Sequence, residues 1–426
     1  MKVLLSAGRP LRGRVALPGD KSISHRALLF NGLAQGRARV RGAQRGEDVQ
    51  STARCLRAMG VVVEEAEDGA LFVEGRGALA EPGEVLDCGN SGTTLRLLLG
   101  ALAGQAGFFA LTGDASLRRR PMGRVVRPLR QMGAQIDGAG EGSRAPLSLR
   151  GAALQAGDLS VTVASAQVKS ALLLAALRAE GTLRLQAPAS RDHSERLLRA
   201  MGVTLDEHDG ALVMAGGQAL QAVDVDVPAD ISAAAFFLVA GAITPGSALW
   251  LPGVGVNPSR TGVIDVLRRM GATITLEAAR DLAGEPVANL RVGAGGLVGT
   301  IIEGAEIPRL IDELPVLAIA AAMAEGETVV RDAAELRVKE SDRIATTVAL
   351  VRALGVEAEA LPDGFVIAGG GLRRGCEIDA DGDHRLAMAA AVASCVAPGP
   401  VQIVGAEAAA VSFPEFYTVL AALGAG

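Results

Sequence analysis

Apolar residues recur along this chain in two rhythms, and one short phrase marks where the first gives way to the second. It reads LRAMGV at 56–61, LRQMGA at 129–134, LRAMGV at 198–203, LRRMGA at 267–272, VRALGV at 351–356 and LAALGA at 420–425. Its glycines, at 60, 133, 202, 271, 355 and 424, lie 69 to 84 residues apart. Ahead of Gly60, the apolar residues Val49, Ala53, Leu56 and Met59 follow helical spacing, so the phrase reads as the end of an amphipathic helix. Glycine then closes the helix in the left-handed conformation at little cost. Alternating, β-branched stretches such as VVVEE and ATITLE follow, and these predict strands. The period is longer than that of solenoid repeats, so each unit is expected to hold several strands and two helices. Six such α/β units can form one array or two groups of three.

A break between groups falls at VDVPADIS, 225–232, where Pro228 ends one segment and Asp230 reads as a helix cap. If the chain crosses between groups twice, the first 18 residues belong with the C-terminal group. Other helices are predicted to open on small polar residues. These are Asn90 or Ser91 in GNSGTTLRLLL, Ser165 in ASAQVKSALLL, Asp383 in DGDHRLAMAAA, and Asn257 ahead of Pro258 in NPSRTGVIDVL. For NPSRTG the reading is ordinary capping.

Cations sit where capping does not want them. Lys21, Arg26, Lys169, Arg343 and Arg385 fall within the first turns of predicted helices. A helix N-terminus already carries about half a positive charge, so a cation there is unfavourable unless an anion or solvent screens it. Several in comparable places suggest helix ends converging on a polyanionic ligand. Arg118, Arg119 and Arg120 form a basic loop, of which at most one need face a site.

Composition narrows the class. Of 426 residues, 49% are hydrophobic but only 3% aromatic, so the core is built from Ala, Leu, Val and Ile. The 54 glycines are close to twice the usual share of about 7%, which implies many tight turns. A net charge of -5 offers no basic field for nucleic acid. Cys55, Cys88, Cys376 and Cys395 lack metal-ligand spacing and read as reduced and buried, as in a cytoplasmic protein. The apolar start before Arg9 is too short for a leader, and runs such as LPVLAIAAAMA end short of a membrane span. A soluble protein with no membrane partner follows.

The stretch LPGDKSISHRALL at 17–29 has the grammar of a phosphate site but is not a P-loop. The required glycine positions hold Asp20 and Val15. DADGDH at 379–384 fails as a calcium loop, because Gly382 comes early and position 390 is Ala. The four histidines show no zinc spacing, and no GxSxG elbow is present. Catalysis must therefore rest on Lys, Arg, Asp, Glu and Gln.

The motifs LPGDKSISHRALL, LDCGNSGTTLRLL, RRRPMGRVV, SAQVKSALLLA, SRDHSERLLRAMG, LIDELPVLA, ELRVKESDRI and DGDHRLAMA stand in the order seen in one family. Together they resemble the enolpyruvyl transferases of the 3-phosphoshikimate 1-carboxyvinyltransferase (5-enolpyruvylshikimate-3-phosphate synthase) type. The resemblance runs from about residue 17 to SFPEF near the C-terminus. It implies two similar domains, each of three repeated α/β units (an inside-out α/β barrel), joined by two crossover strands. The boundaries expected are 19–228 for one domain and 1–18 plus 229–426 for the other. The implied reaction moves the enolpyruvyl group of phosphoenolpyruvate to the 5-hydroxyl of shikimate 3-phosphate, releasing phosphate. The pathway implied is aromatic amino-acid (chorismate) biosynthesis, in a cytoplasmic monomer needing no metal and no organic cofactor.

Position by position, the resemblance assigns shikimate 3-phosphate to Lys21, Ser22, Arg26, Ser165, Ala166, Gln167, Arg191, Asp312 and Lys339. It assigns phosphoenolpyruvate to Lys21, Gly92, Arg120, Gln167, Arg343 and Arg385. Asp312 would be the base at the hydroxyl, with Glu340 or Lys21 delivering the proton to the methylene carbon. A site drawn from both domains implies closure about residues 18–19 and 228–230. Some members carry a lysine before the (S/T)FP near the C-terminus, where this chain has Val411. The rival readings are an enolpyruvyl transferase acting on UDP-N-acetylglucosamine, a phosphotransferase with a degenerate P-loop, and a non-catalytic scaffold. The first typically uses a loop cysteine near 110–120, where this chain reads TGDASLRRR without one.

Overall fold

The computed structural model describes residues 2–5, 10–282 and 284–424. The start read above as too short for a leader thus lies partly outside the described residues, as does the last residue of the sixth phrase. The chain forms two compact units, Lys21–Val227 and Met1–Asp20 with Pro228–Gly426, and each has its own apolar core.

One sheet plan recurs. In Lys21–Val227 the first sheet orders Val225–Asp226, Gln35–Arg41, Leu71–Arg76 and Val62–Glu65. The first pair is parallel and the other two are antiparallel. Ala38 and Val40 face inward with their partners Val73 and Leu71, the two-residue alternation of a half-buried strand. The same pattern returns in the sheets built on Phe108–Thr112 and Thr182–Gln186. It returns again on Ala248–Gly255 and Thr328–Val330 in the other unit. The sixth sheet is completed by the chain's start: Lys2–Leu5 pairs antiparallel with Val401–Val404, which runs parallel to Cys376–Asp379.

The repeated phrase closes outer helices. Gly60, Gly133, Gly202, Gly271 and Gly355 have φ between 84° and 108°. Around Gly60, its N–H reaches the Arg57 carbonyl at 3.0 Å and the Val61 N–H reaches Leu56 at 3.1 Å, a Schellman closure. The phrase's arginine does something the pattern alone does not reveal. Three residues before each glycine, it crosses to a carbonyl at the start of the next strand. Arg57 Nη2 to Val63 O is 2.8 Å, Arg130 Nε to Ile136 O 3.1 Å, and Arg199 Nε to Leu205 O 2.9 Å. Arg268 Nη2 to Ile274 O is 2.8 Å, and Arg352 Nε to Ala358 O 2.7 Å. Each guanidinium satisfies an edge-strand carbonyl and fixes the helix-to-strand angle. The sixth phrase departs from the rule. Gly424 ends the helix Phe416–Gly424, no arginine precedes it, and the sixth sheet draws its strand from residues 2–5 instead.

Inside each unit lie three helices buried on all sides. They are Lys21–Leu33, Gly92–Leu102 and Ala166–Ala176 in one, and Ile231–Ile243, Leu314–Met323 and His384–Ala393 in the other. Every residue of Ile231–Ile243 is buried, as expected of a helix apolar all round. Small residues allow the close packing. A Cβ on Gly100 would lie 2.0 Å from the Ala171 carbonyl oxygen of the neighbouring helix.

Two readings need correction. No α-helix begins at Asn257–Pro258. The Asn257 side chain accepts from the Ser259 N–H at 2.9 Å and its hydroxyl at 2.7 Å, forming an Asx turn, and the helix starts only at Gly262. Of the four free cysteines, Cys55 and Cys88 are buried but Cys376 and Cys395 are only partly so. Among the described residues no helix is long and apolar enough to cross a membrane.

Candidate active site

In the unit Lys21–Val227, hydrogen bonds tie the N-terminal ends of the three inner helices to one another. Lys21 opens the first helix, and its Nζ donates to Asp48 Oδ2 at 3.0 Å. Asp48 stands in the first turn of Glu47–Ala58, so the helix terminus that tolerates this carboxylate also presents it to the lysine. Thr94 Oγ1 bonds Ser91 Oγ at 2.7 Å and lies 2.6 Å from Thr52 Oγ1, which meets His25 Nδ1 at 2.7 Å. Ser91 is the cap of the second helix, accepting from the Thr94 N–H, and Ser165 caps the third, accepting from Val168.

Gly92 lies against two guanidinium groups. A Cβ there would meet Arg96 Nη1 at 2.8 Å and Arg120 Nη1 at 3.3 Å. Arg96 donates to Gln167 Oε1 at 2.5 Å, and Gln167 Nε2 donates to Thr93 Oγ1 at 2.9 Å. Arg120 donates to Asn90 Oδ1 at 2.5 Å, while Asn90 Nδ2 donates to Asp114. Amide oxygens orient both guanidiniums, whose planar forks suit a carboxylate or phosphate. Of the basic loop, only Arg120 is buried. Replacing Gly92 by alanine displaces the ends of flexible side chains rather than backbone. If the ligand here is phosphoenolpyruvate, as the resemblance implies, the expected result is a raised KM for it at an unchanged melting temperature. Unchanged steady-state KM would show that these guanidiniums do not hold that ligand.

Arg26 is placed deeper than its neighbours. Its Nε donates to Ser194 Oγ at 2.7 Å, Nη2 to Ser170 Oγ at 2.9 Å and Nη1 to the Ser22 carbonyl at 2.9 Å. Arg191 Nη1 meets Ser22 Oγ at 3.3 Å. Lys169, grouped above with anion-seeking cations, instead forms a buried ion pair with Glu195 at 2.5 Å. Ala166 is the first residue of its helix.

The other unit gathers a denser cluster. Asp312, in the short turn Ile311–Glu313, lies 3.4 Å from Lys339 Nζ and 3.3 Å from Arg343 Nη1 through its Oδ1. Arg385 Nη1 donates to the Asp312 carbonyl at 2.8 Å, and its Nη2 is 3.9 Å from Asp312 Oδ2. Arg343 opens the helix Arg343–Ala353, is 2% exposed, and also grips Glu340 Oε2 at 2.6 Å and Asp383 Oδ2 at 2.7 Å. Burial works against its charge, but Asp383, Glu340 and Asp312 outweigh that and raise its pKa above the ordinary arginine value. Burial pushes the Asp383 carboxyl up, yet Arg343 overrides it and the net shift is downward.

Asp312, Lys339, Glu340, Arg343 and Arg385 thus come together in one unit, and Lys21, Gly92, Arg120, Gln167 and Arg191 belong to the other. Asp48, Arg96, Asp383 as an arginine partner, and Glu313 were missed. Arg96 had a signal, being the one cation in the apolar run TLRLLL, whereas Asp48 and Glu313 look like ordinary helix-start acids.

A family model described as EPSP synthase (3-phosphoshikimate 1-carboxyvinyltransferase) matches residues 5–420. A 3-phosphoshikimate 1-carboxyvinyltransferase of Roseiflexus castenholzii is 55% identical over 421 residues, covering 97% of each chain. One from Synechococcus sp. (strain JA-3-3Ab) is 54% identical over 422 residues, 98% of this chain and 95% of that one. Among solved structures, an EPSP synthase from Acinetobacter baumannii is similar with a TM-score of 0.88 at 42% identity, covering 99% of this chain and 98% of that one. The enolpyruvyl transferase NikO from Streptomyces tendae shares the fold, at TM-score 0.81 and 19% identity over 100% of this chain and 98% of that one.

Proposed function

The chain belongs to the EPSP synthase (3-phosphoshikimate 1-carboxyvinyltransferase) family, and from that premise we propose the roles of its individual residues. It is a transferase of the inside-out α/β fold, moving the enolpyruvyl group of phosphoenolpyruvate to shikimate 3-phosphate in the shikimate pathway. Its family matches favour this reading over UDP-N-acetylglucosamine transfer or phosphotransfer.

The observation that carries our assignment is Asp312 ringed by Lys339, Arg343 and Arg385. These cations hold the carboxylate in place. We assign the phosphate and carboxylate of phosphoenolpyruvate to Arg343 and Arg385. Asp312 then takes the proton of the 5-hydroxyl as its oxygen bonds to the central carbon of phosphoenolpyruvate. The methylene carbon gains a proton, from Glu340 or Lys21, to give a tetrahedral adduct. Loss of a proton from the methyl group so formed, with expulsion of phosphate, yields the enol ether. Arg120, Gln167 and Gly92 complete the phosphoenolpyruvate contacts, with Lys21 serving both ligands. Ser22, Arg26, Ser165, Ala166, Gln167 and Arg191 meet shikimate 3-phosphate. We place the enzyme in the cytoplasm as a monomer.

The test is phosphate release from phosphoenolpyruvate in the presence of EDTA. Release that requires shikimate 3-phosphate is expected. Folded protein giving no such release, or release only with ATP and magnesium, overturns the reading.

A further inference from the structure

The NPSRTG stretch forms the Asx turn at Asn257, and its arginine has no part in the reaction described above. Its Asx turn carries Arg260 inward, with the Arg260 N–H bonded to the Asn257 carbonyl at 2.8 Å and Asn257 Nδ2 to Glu285 at 3.1 Å. Arg260 is 2% exposed. Its Nη1 meets Asp20 Oδ2 at 3.1 Å and its Nη2 meets Asp230 Oδ1 at 3.5 Å. Asp20 stands at one point where the chain passes between its units, and Asp230 two residues beyond the start of the other segment at Pro228. The segments are themselves paired: Asp20 N–H to Pro228 O is 2.8 Å, and Asp230 N–H to Pro18 O is 3.0 Å.

The same guanidinium reaches toward the chemistry. Nη2 donates to Ser232 Oγ at 2.7 Å, and Ser232 donates a short hydrogen bond to Glu313 Oε1. Glu313 is 1% exposed, and its Oε2 has no hydrogen-bond partner among the described residues, so the serine contact orients it. Glu313 follows Asp312 directly, and its Oε1 lies 3.6 Å from Arg385 Nη1, the atom that holds the Asp312 carbonyl. Burial disfavours charge on Arg260, but Asp20, Asp230, Glu313 and Asp312 outweigh it and keep the group protonated.

We propose that Arg260 is a positioning residue for the transfer reaction, gripping both crossing segments and, through Ser232 and Glu313, setting the turn that carries Asp312 and meets Arg385. The proposal rests on Asp312 being the base. A buried cation shared by several acids can be a staple of the fold and nothing more. The relay through Ser232 is what distinguishes the two roles, because it can be cut while both aspartate pairs remain.

Ser232→Ala is therefore the test. The expected result is a fall in kcat of about tenfold, with KM for shikimate 3-phosphate changed by less than about twofold, as for a misplaced catalytic group. Ser232→Thr should restore kcat, since its hydroxyl can repeat the relay. Arg260→Lys, which keeps the charge but cannot fork across its partners, should show the same split. A parental kcat in Ser232→Ala overturns the proposal. So does a loss that Ser232→Thr fails to rescue, or one matched by the folded fraction measured by circular dichroism. Asp312→Ala in the same series separates the two claims. If it stays active, the base assignment fails; if it is dead while Ser232→Ala is fully active, only the Arg260 relay fails.

Discussion

Asp312→Ala is expected to lower kcat by about 10²–10⁴-fold, the usual contribution of a general acid or base, while shikimate 3-phosphate still binds. The geometry explains why binding and turnover should separate. Ser22, Ser165 and Arg191, proposed to meet shikimate 3-phosphate, belong to a different unit from Asp312. Deleting the carboxylate leaves Lys339 and Arg343 without one of their acids, and Arg343 keeps Glu340 and Asp383. The cluster should therefore survive, somewhat more positive, and anions should bind no worse. Titration calorimetry with shikimate 3-phosphate checks the binding, and single-turnover phosphate release checks the chemistry. Turnover within about tenfold of the parent would move the base elsewhere, since that is below the range for such catalysis.

What could be read from the chain, and what could not, divides along a physical line. The repeat was legible because each unit solves the same local problem. A helix must stop, a glycine stops it, and an alternating strand must follow. The inner helices were legible as apolar runs with polar caps, and Ser91, Ser165, Asp230 and Asp383 cap where the pattern put them. Side-chain pairing over long sequence distances was not legible. Lys169 meets Glu195, and Arg260 meets Asp20 some 240 residues away. Nothing local says whether a cation at a helix start is kept for a ligand or absorbed by a buried acid. The failure at Asn257 has the same root. Asparagine caps helices and closes Asx turns with the same oxygen, and here the turn wins. Asp383 shows how one residue can be half read. Its capping of Arg385 N–H at 2.9 Å follows from the pattern, whereas its grip on Arg343 does not.

That grip makes Asp383→Asn the most destabilising conservative change expected in the cluster. Asp383 is fully buried, accepts from Arg343 Nε at 2.7 Å and Nη2 at 3.2 Å, and from Ser341 Oγ at 3.0 Å. Asparagine preserves shape and can still cap the helix, but it leaves Arg343 buried against one fewer charge. Breaking a buried pair from one side typically costs about 3–5 kcal/mol, and urea unfolding at neutral pH should show a loss of that order. The pH dependence fixes the cause. Because the Asp383 carboxyl is held below its ordinary value, its contribution is fully present above the unfolded pKa of about 3.9. It is lost as pH falls through the lower, folded value. The gap between parent and variant should thus be level from about pH 7 to 5 and narrow only in stronger acid. A gap that stays constant down to acid unfolding would mean the variant fails by misfit rather than by lost charge. Turnover should fall as well, since Arg343 takes its aim at Asp312 from Asp383.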